Sequence, residues 1–436
     1  MMTKNRTLGV LLAGALLAPA SAFAAGYQLN ETAANATGRL TAVAATVDDA
    51  SAVFYNPAGL TNIKGTDLQL GVTLFLASGA YEGTGYPAVN PAQTSQRYDT
   101  LTTALPVPNF YLGRALTDKA YIGFGVYTPY GLGLNWGDDQ KFVGRTTVQE
   151  IELQTVFFTP TIALKLHDRL SIAMGVSIVP ASVYLRRTLG AEDNNQVLFP
   201  ADLYGSEGTV QLSGHALGVG ATVGIQATPI DHLKLGLTYH SAVALEFTGN
   251  AHFNIPATAP VAIRANFPDG TVSTSATLPH SFQLGVGWAK GPLTIEADAN
   301  MTLWAAFDSL DIYFDSRLPT AKTSAPRNWK ASPTFRLGGQ YDFGKLGAVG
   351  VRGRLGAGFD VSPIPDTTVD PTLPDNARIL FSGGLGLLFG PVNFDASYMG
   401  VFVLSRDSTS SVNFAAGTYP GRLISVIGVS AGIAFN

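Results

Sequence analysis

From Leu68 to Phe435 the chain reads as a run of short strands in which apolar and polar side chains alternate, the period a β-strand imposes by turning successive side chains to opposite faces. Leu233, Leu235, Leu237 and Tyr239 make one face, and Lys234, Gly236, Thr238 and His240 the other. Leu293, Ile295, Ala297, Ala299, Met301 and Leu303 oppose Thr294, Glu296, Asp298, Asn300 and Thr302. Phe335, Leu337, Gly339, Tyr341 and Phe343 oppose Thr334, Arg336, Gly338, Gln340 and Asp342, and Val349, Val351, Leu355 and Phe359 oppose Arg352, Arg354 and Asp360. Charged residues recur too often for any run of about twenty apolar residues, so helical membrane spans are not predicted.

The strands are joined by connections that are alternately tight and long. Thr117-Asp118-Lys119, His167-Asp168-Arg169, Ile230-Asp231-His232, Lys290-Gly291-Pro292, 344–347 and Gly390-Pro391 are tight; 79–106, 129–148, 187–206, 250–271, 307–331, 362–377 and 405–420 are long. Outer-membrane barrels have short periplasmic turns and long extracellular loops, and an even number of strands. The pattern predicts an all-β fold, a transmembrane antiparallel β-barrel of about fourteen strands, with the apolar faces on lipid and the charged faces inside. Neighbouring strands then bring Glu296, Asp298, Arg336, Arg352 and Arg354 together, which predicts a lumenal lattice of ion pairs. Tyr121, Tyr341, Phe343, Phe389 and Phe435 suit an aromatic girdle. A soluble sandwich with one wet face would leave the turn asymmetry and the N-terminus unexplained.

That N-terminus carries Lys4 and Arg6, an apolar run from Leu8 to Ala18, and the triplet Ala22-Phe23-Ala24. Residues 1–24 read as a secretory signal peptide cut after Ala24. Export implies an oxidising compartment, yet the chain has no cysteine; a closed barrel has no unpaired edge and needs no disulfide. A formal net charge of −4 gives no footprint for nucleic acid. Residues 67–436 form one barrel domain. Residues 25–66 lack the two-residue period, with Asn30, Thr32, Asn35, Thr37, Thr41 and Thr46 interrupting alanines. They read either as a plug in the lumen, Asp48 and Asp49 pairing with lumenal arginines, or as a periplasmic tail.

Several stretches resemble the long-chain fatty acid outer-membrane transporters of the FadL type, which include aromatic-hydrocarbon importers. They are Ala25-Gly26-Tyr27-Gln28-Leu29-Asn30, Gly38-Arg39, Asp48-Asp49-Ala50, Tyr55-Asn56-Pro57-Ala58-Gly59-Leu60, Thr128-Pro129-Tyr130-Gly131, Phe142-Val143-Gly144-Arg145 and Asp360-Val361-Ser362-Pro363. Their order spans nearly the whole mature chain. One departure is Asn436 after Phe435, where such barrels end on the aromatic that serves the barrel assembly machinery. The resemblance implies a monomeric passive importer in the bacterial outer membrane, without a cofactor, for long-chain fatty acids or other hydrophobic compounds. Asn56, Pro57 and Ala58 would form the gate in the plug, and the glycine-rich strand from Ala120 to Thr128, followed by Pro129, the irregular wall through which cargo leaves sideways. Arg186 stands where the family's carboxylate-binding arginine falls; its other reading is a rim residue near lipopolysaccharide phosphates.

The long loops are apolar where a collecting groove would need it, with Leu198 and Phe199 in one and Phe253, Ile255 and Phe267 in another. Packing of loops on one another would use the same residues. Other chemical motifs are weak. Gly428-Val429-Ser430-Ala431-Gly432 matches the hydrolase elbow but falls inside a predicted strand. The six histidines have no ligand spacing, and Asp366, Asp370 and Asp375 do not fit a calcium loop. No enzyme or metal site is expected. An outer-membrane lipid hydrolase or an open general porin are the rival functions.

Overall fold

The computed structural model describes residues 26–435 except 84–94, 138–141, 190–191, 194–195, 198–207, 316–320 and 409–415. Residues 1–25, which include the expected signal peptide, and Asn436, Leu198 and Phe199 therefore lie outside the described residues.

Fourteen strands close into a ring: β1 Thr66–Ala77, β2 Thr103–Ala115, β3 Ala120–Tyr127, β4 Phe157–His167, β5 Leu170–Thr188, β6 Thr209–Ile230, β7 Leu233–His240, β8 Ser281–Lys290, β9 Leu293–Thr302, β10 Ser332–Leu346, β11 Val349–Asp360, β12 Arg378–Phe389, β13 Val392–Val403 and β14 Arg422–Phe435. Each pairs antiparallel with its sequence neighbour, and β1 pairs with β14 from Thr66↔Phe435 to Leu76↔Ser425. Pairing of β1 with β14 leaves neither terminal strand as an edge. Leu217 on β6 and Leu355 on β11 are 70% and 73% exposed, and Leu235, Leu284 and Phe335 share that outer face. A charge there would cost about 2–4 kcal/mol at the bilayer midplane, so the phase of the alternation is fixed. Tyr341, Phe343, Phe389 and Phe435 are exposed at the periplasmic end as the girdle requires, but Tyr121 is buried. It shares the inward parity of Gly123 and Gly125, and its hydroxyl donates to the Asp118 carbonyl at 3.3 Å.

Above the membrane belt the phase reverses. In β6, Val210 and Leu212 are buried while Leu217 and Val219 are exposed, the switch falling at Gly214-His215-Ala216. The ladder continues upward in Gly131–Asn135, Glu150–Thr155, Val243–Asn254, Gly270–Leu278, Ser309–Phe314 and Lys322–Pro326. In Val243–Asn254 the apolar residues Val243, Leu245 and Phe247 point inward, whereas Leu235 and Leu237 of β7 point outward. Polar side chains there face water and apolar ones line the interior, the inverse of the membrane-spanning part.

Residues 26–63 lie inside the cylinder, almost wholly buried. They hold two single-turn helices, α1 Ala34–Thr37 and α2 Ala52–Tyr55, and a 3₁₀ helix Pro57–Asn62. Contacts run round the ring. Thr73 on β1 donates to the Glu31 carbonyl at 2.7 Å, Thr238 on β7 to the Tyr55 carbonyl at 2.8 Å, and Ser382 on β12 to the Gly38 carbonyl at 3.2 Å. The wall is glycine where it meets this inner segment. A Cβ on Gly356 would sit 2.6 Å from Leu40 Cβ, and one on Gly384 2.9 Å from Gly38 Cα, so a side chain at either would push the segment inward.

Candidate functional site: a cavity, its aromatic floor and a break in the wall

At the level of the reversed phase lies an apolar cavity whose empty space, open mouth included, is about 930 Å³. Its walls are apolar, with Leu132, Leu153, Val183, Leu185, Leu212 and Phe247 among them. A second apolar cluster adjoins it through Leu185, Leu212 and Val272 and contains Phe253, Ile255 and Phe267. The rings of Phe253 and Phe267 are 5.5 Å apart. The three loop residues thus join one layer beside the cavity.

The floor is aromatic. Several strands are interrupted at one height, and the interruptions carry Tyr130, Trp304, Phe307 and Trp329 inward onto Tyr27 of the inner segment. The Tyr27 ring lies 4.6 Å from Trp304, 6.0 Å from Phe307 and 6.2 Å from Tyr130, mostly edge to face, as ring quadrupoles favour. Burial raises the Tyr27 phenol well above its usual value, so it is a neutral hydroxyl. Gly26 must be glycine: its φ is +66°, and a Cβ would meet Trp304 at 2.7 Å.

The same few residues reach the wall. Leu29 N–H donates to the Pro129 carbonyl at 2.8 Å, Gly131 N–H to the Tyr27 carbonyl at 3.0 Å, and Gln28 and Tyr130 are antiparallel bridge partners. After Tyr127 the chain of β3 therefore bends inward at Thr128-Pro129-Tyr130. The consequence is a break. Strand β2 pairs with β1 along Thr103–Arg114, but with β3 only from Phe110 to Ala115. Opposite 103–109 no ladder forms on the β3 side among the described residues, until Leu101 N–H reaches the Asn135 carbonyl at 2.8 Å above. Pro106 and Pro108 border this break and have no N–H to leave unsatisfied. The irregularity falls at the end of the Ala120–Tyr127 strand.

Asn56 sits at the start of the 3₁₀ turn. Its side-chain amide donates to the Ala44 carbonyl at 2.7 Å and the Ile225 carbonyl of β6 at 3.0 Å, and its oxygen accepts from Ala58 N–H at 3.2 Å. Pro57 packs beneath Gly224, where a Cβ would come within 2.7 Å of its ring. Asp48 is exposed, and Asp49 accepts from Ser51 and Asn35. Burial, then the Asp48 charge, raises the Asp49 carboxyl. Neither pairs with an arginine of the wall as expected, because the turn spends Asp49 on its own segment.

The expected lattice divides among other partners. Asp298 faces Arg336 in register, yet its Oδ2 accepts from Val43 N–H at 3.1 Å and Ala44 N–H at 3.2 Å, while Glu296 accepts from Ala45 N–H at 2.5 Å and from Thr46 Oγ1. Three successive amides at the 43–45 turn make a nest that two carboxylates fill, and buried N–H groups demand such partners. Arg336 bonds to Thr41 and lies 3.9 Å from Asp360. Arg354 pairs with Asp395 at 2.5 Å, and Arg352 with Asp342 at 3.3 Å near the periplasmic turn. Asp360, on the same polar face as Arg352 and Arg354, and Asp395 on β13 supply acidic partners beyond the expected five residues.

Arg186 does not enter the cavity. On β5 it alternates with Val183 and Leu185, which line it, and so points outward with Tyr184; its guanidinium pairs with Glu150 at 3.3 Å. The guanidinium in the cavity lining is Arg327. Asp366, Asp370 and Asp375 each meet a different arginine, Arg406, Arg327 and Arg378, which leaves no carboxylate cage for a cation. Ser430 lies mid-strand in β14, without the strand-to-helix turn of a nucleophile elbow.

A closed antiparallel barrel with a lipid-facing belt, filled from within by its own N-terminal segment and carrying an apolar cavity above it, defines an outer-membrane transport channel rather than an open pore. Residues 15–418 match the model of the outer membrane protein transport protein family, OMPP1/FadL/TodX, and the chain belongs to that family. Similar proteins include the long-chain fatty acid transport protein of Escherichia coli K12, 24% identical over 425 residues, covering 90% of this chain and 92% of that protein. Another is the putative outer membrane protein NMB0088 of Neisseria meningitidis, 26% identical over 424 residues and covering 90% and 89%. Among solved structures, a Pseudomonas aeruginosa FadL homologue aligns over 94% of this chain and all of that one, with a TM-score of 0.81 at 21% identity. The Pseudomonas putida toluene transporter TodX aligns over 89% and 94%, with a TM-score of 0.67 at 17% identity. The fold is theirs, and the protein is an outer-membrane transporter of hydrophobic compounds.

Proposed function

We propose that the chain imports long-chain fatty acids or similar hydrophobic compounds passively, from the loop layer into the apolar cavity, past the inner segment, and out sideways through the wall break into the membrane. One observation carries this reading. Residues 26–29 supply Tyr27 to the cavity floor and, through Gln28 and Leu29, hold the bent chain at Pro129-Tyr130. Cargo that displaces Tyr27 therefore loosens the contact beside the break, coupling occupancy to exit without an energy source. Asn56, Pro57 and Ala58, tied to β6, keep the lower part of the inner segment in place as the gate element. The route leaves outer-membrane lipid as the receiving phase and lipopolysaccharide as the surface around the loops. Aromatic hydrocarbons or alkanes by the same route are the second reading, supported by the ring-lined floor. The relatives named for fatty acid transport and the toluene transporter of the same fold bracket these two classes.

The test is uptake of radiolabelled oleate by cells lacking their own importer, with competition by fatty acids, alkanes and toluene. Expression of this chain should raise uptake, and hydrophobic competitors but not sugars should reduce it. Uptake that is unchanged, or steady small-ion conductance through the purified protein, would support a different role. Arg186→Ala should leave oleate binding within about twofold of the parent, since Arg186 points away from the cavity and is paired with Glu150; a large loss would return the carboxylate role to Arg186.

A further inference from the structure

Arg327 brings a guanidinium into the apolar lining, and it is already compensated. Its Nη1 lies 2.5 Å from Asp370 Oδ2, and the two side chains are 7% and 2% exposed. The other Asp370 oxygen accepts from Thr372 N–H at 2.8 Å, one residue before Leu373, which lines the same cavity. The Arg327 backbone is held in place: its N–H donates to the Asp308 carbonyl at 2.7 Å, and its carbonyl accepts from Thr368 Oγ1 at 2.6 Å. The pair is thus anchored through Asp370 by the 362–377 segment, while Arg327 Nε has no hydrogen-bond partner among the described residues. Arg327 is the one ionic side chain among the described residues lining the cavity, Arg186 facing the other way.

We propose that Asp370 is a specificity-determining residue: by neutralising Arg327 in a buried pair it makes the cavity disfavour ionised cargo and accept the uncharged form of the same chain. The inference rests on the cavity being the cargo site. An entering carboxylate loses its hydration and meets a wall with no net charge, whereas a hydroxyl or hydrocarbon end loses far less. Removing the Asp370 charge frees the guanidinium as a counterion, and a charge-assisted bond to a carboxylate becomes available.

The experiment compares equilibrium binding of oleate and oleyl alcohol, identical chains with a charged and an uncharged head, to the purified protein at neutral pH. The parent should bind the alcohol at least about tenfold more tightly. Asp370→Asn, which can still accept from Thr372, should tighten oleate binding at least about tenfold and leave the alcohol within about twofold. The double variant Arg327→Gln/Asp370→Asn, again neutral, should discriminate as the parent does. It also serves if Asp370→Asn, with its buried unpaired guanidinium, does not fold. Equal affinities for both ligands in the parent, a parallel shift of both in Asp370→Asn, or a double variant that loses discrimination would overturn the filter. Absence of binding by either ligand would instead overturn the cavity as the cargo site, and the filter with it.

Discussion

Oxidation of a Gln28→Cys/Tyr130→Cys variant should cut uptake of hydrophobic compounds by at least about tenfold, and a reductant should restore it. The two positions are antiparallel bridge partners joining the inner segment to the bent wall. Cβ atoms of such pairs lie about 4.5–5.5 Å apart, close enough for a disulfide after a small shift. The chain has no cysteine to compete. A cross-link there prevents residues 26–29 from parting from Pro129-Tyr130, the step on which the proposed lateral exit depends. Loss of the Tyr130 ring is present in both redox states, so reversal by reductant isolates the lock. Uptake indifferent to oxidation, with the disulfide verified by mass, would show that these residues stay together during transport.

The second large effect concerns what holds the inner segment. Glu296→Ala/Asp298→Ala removes the acceptors of the Val43, Ala44 and Ala45 amides. Each buried donor left without a partner costs about 1–3 kcal/mol, and three share one turn. The segment should loosen on the β8 to β10 side, and planar bilayers should record ion-conducting openings that the parent lacks. Glu296→Gln/Asp298→Asn keeps an acceptor oxygen at each place and should remain nearly silent. Equal conductance in both double variants would mean that the carboxylate charges, and not their acceptor oxygens, anchor the segment.

Much of the barrel was legible because membrane burial enforces the two-residue period so strictly. Leu235, Leu237, Phe335 and Leu337 face lipid, and Arg336, between the last two, could not do so without a large cost. The inner segment carries no period, since it packs against a ring of strands distant in sequence, and only the stretches such as Tyr55-Asn56-Pro57-Ala58 pointed to its place. The partners of Glu296 and Asp298 were invisible for a related reason. Backbone amides become a recognition site only once the turn at 43–45 exists, and side-chain charge alone suggested Arg336. Arg186 is different, for the signal was in the sequence. Val183 and Leu185 alternate with Tyr184 and Arg186, so an apolar interior at that height excludes Arg186 from it. The reversal of phase across Gly214-His215-Ala216 in β6 marks where the interior changes from polar to apolar. Arg327 escaped notice because it stands in an irregular interruption beside Asn328, whose φ is +50°, where no alternation assigns a face.

The central claim is that cargo leaves through the wall and not through the periplasmic end. A long-chain hydrophobic probe bearing a diazirine, photolysed in intact cells during uptake and mapped by mass spectrometry, tests it directly. Adducts should fall on the cavity lining, on Tyr27, and on the borders of the break at Pro106, Pro108 and Val126. Adducts instead on Asp48, Lys64 and Asp67 at the opposite end of the cylinder, with the break unlabelled, would contradict the lateral route.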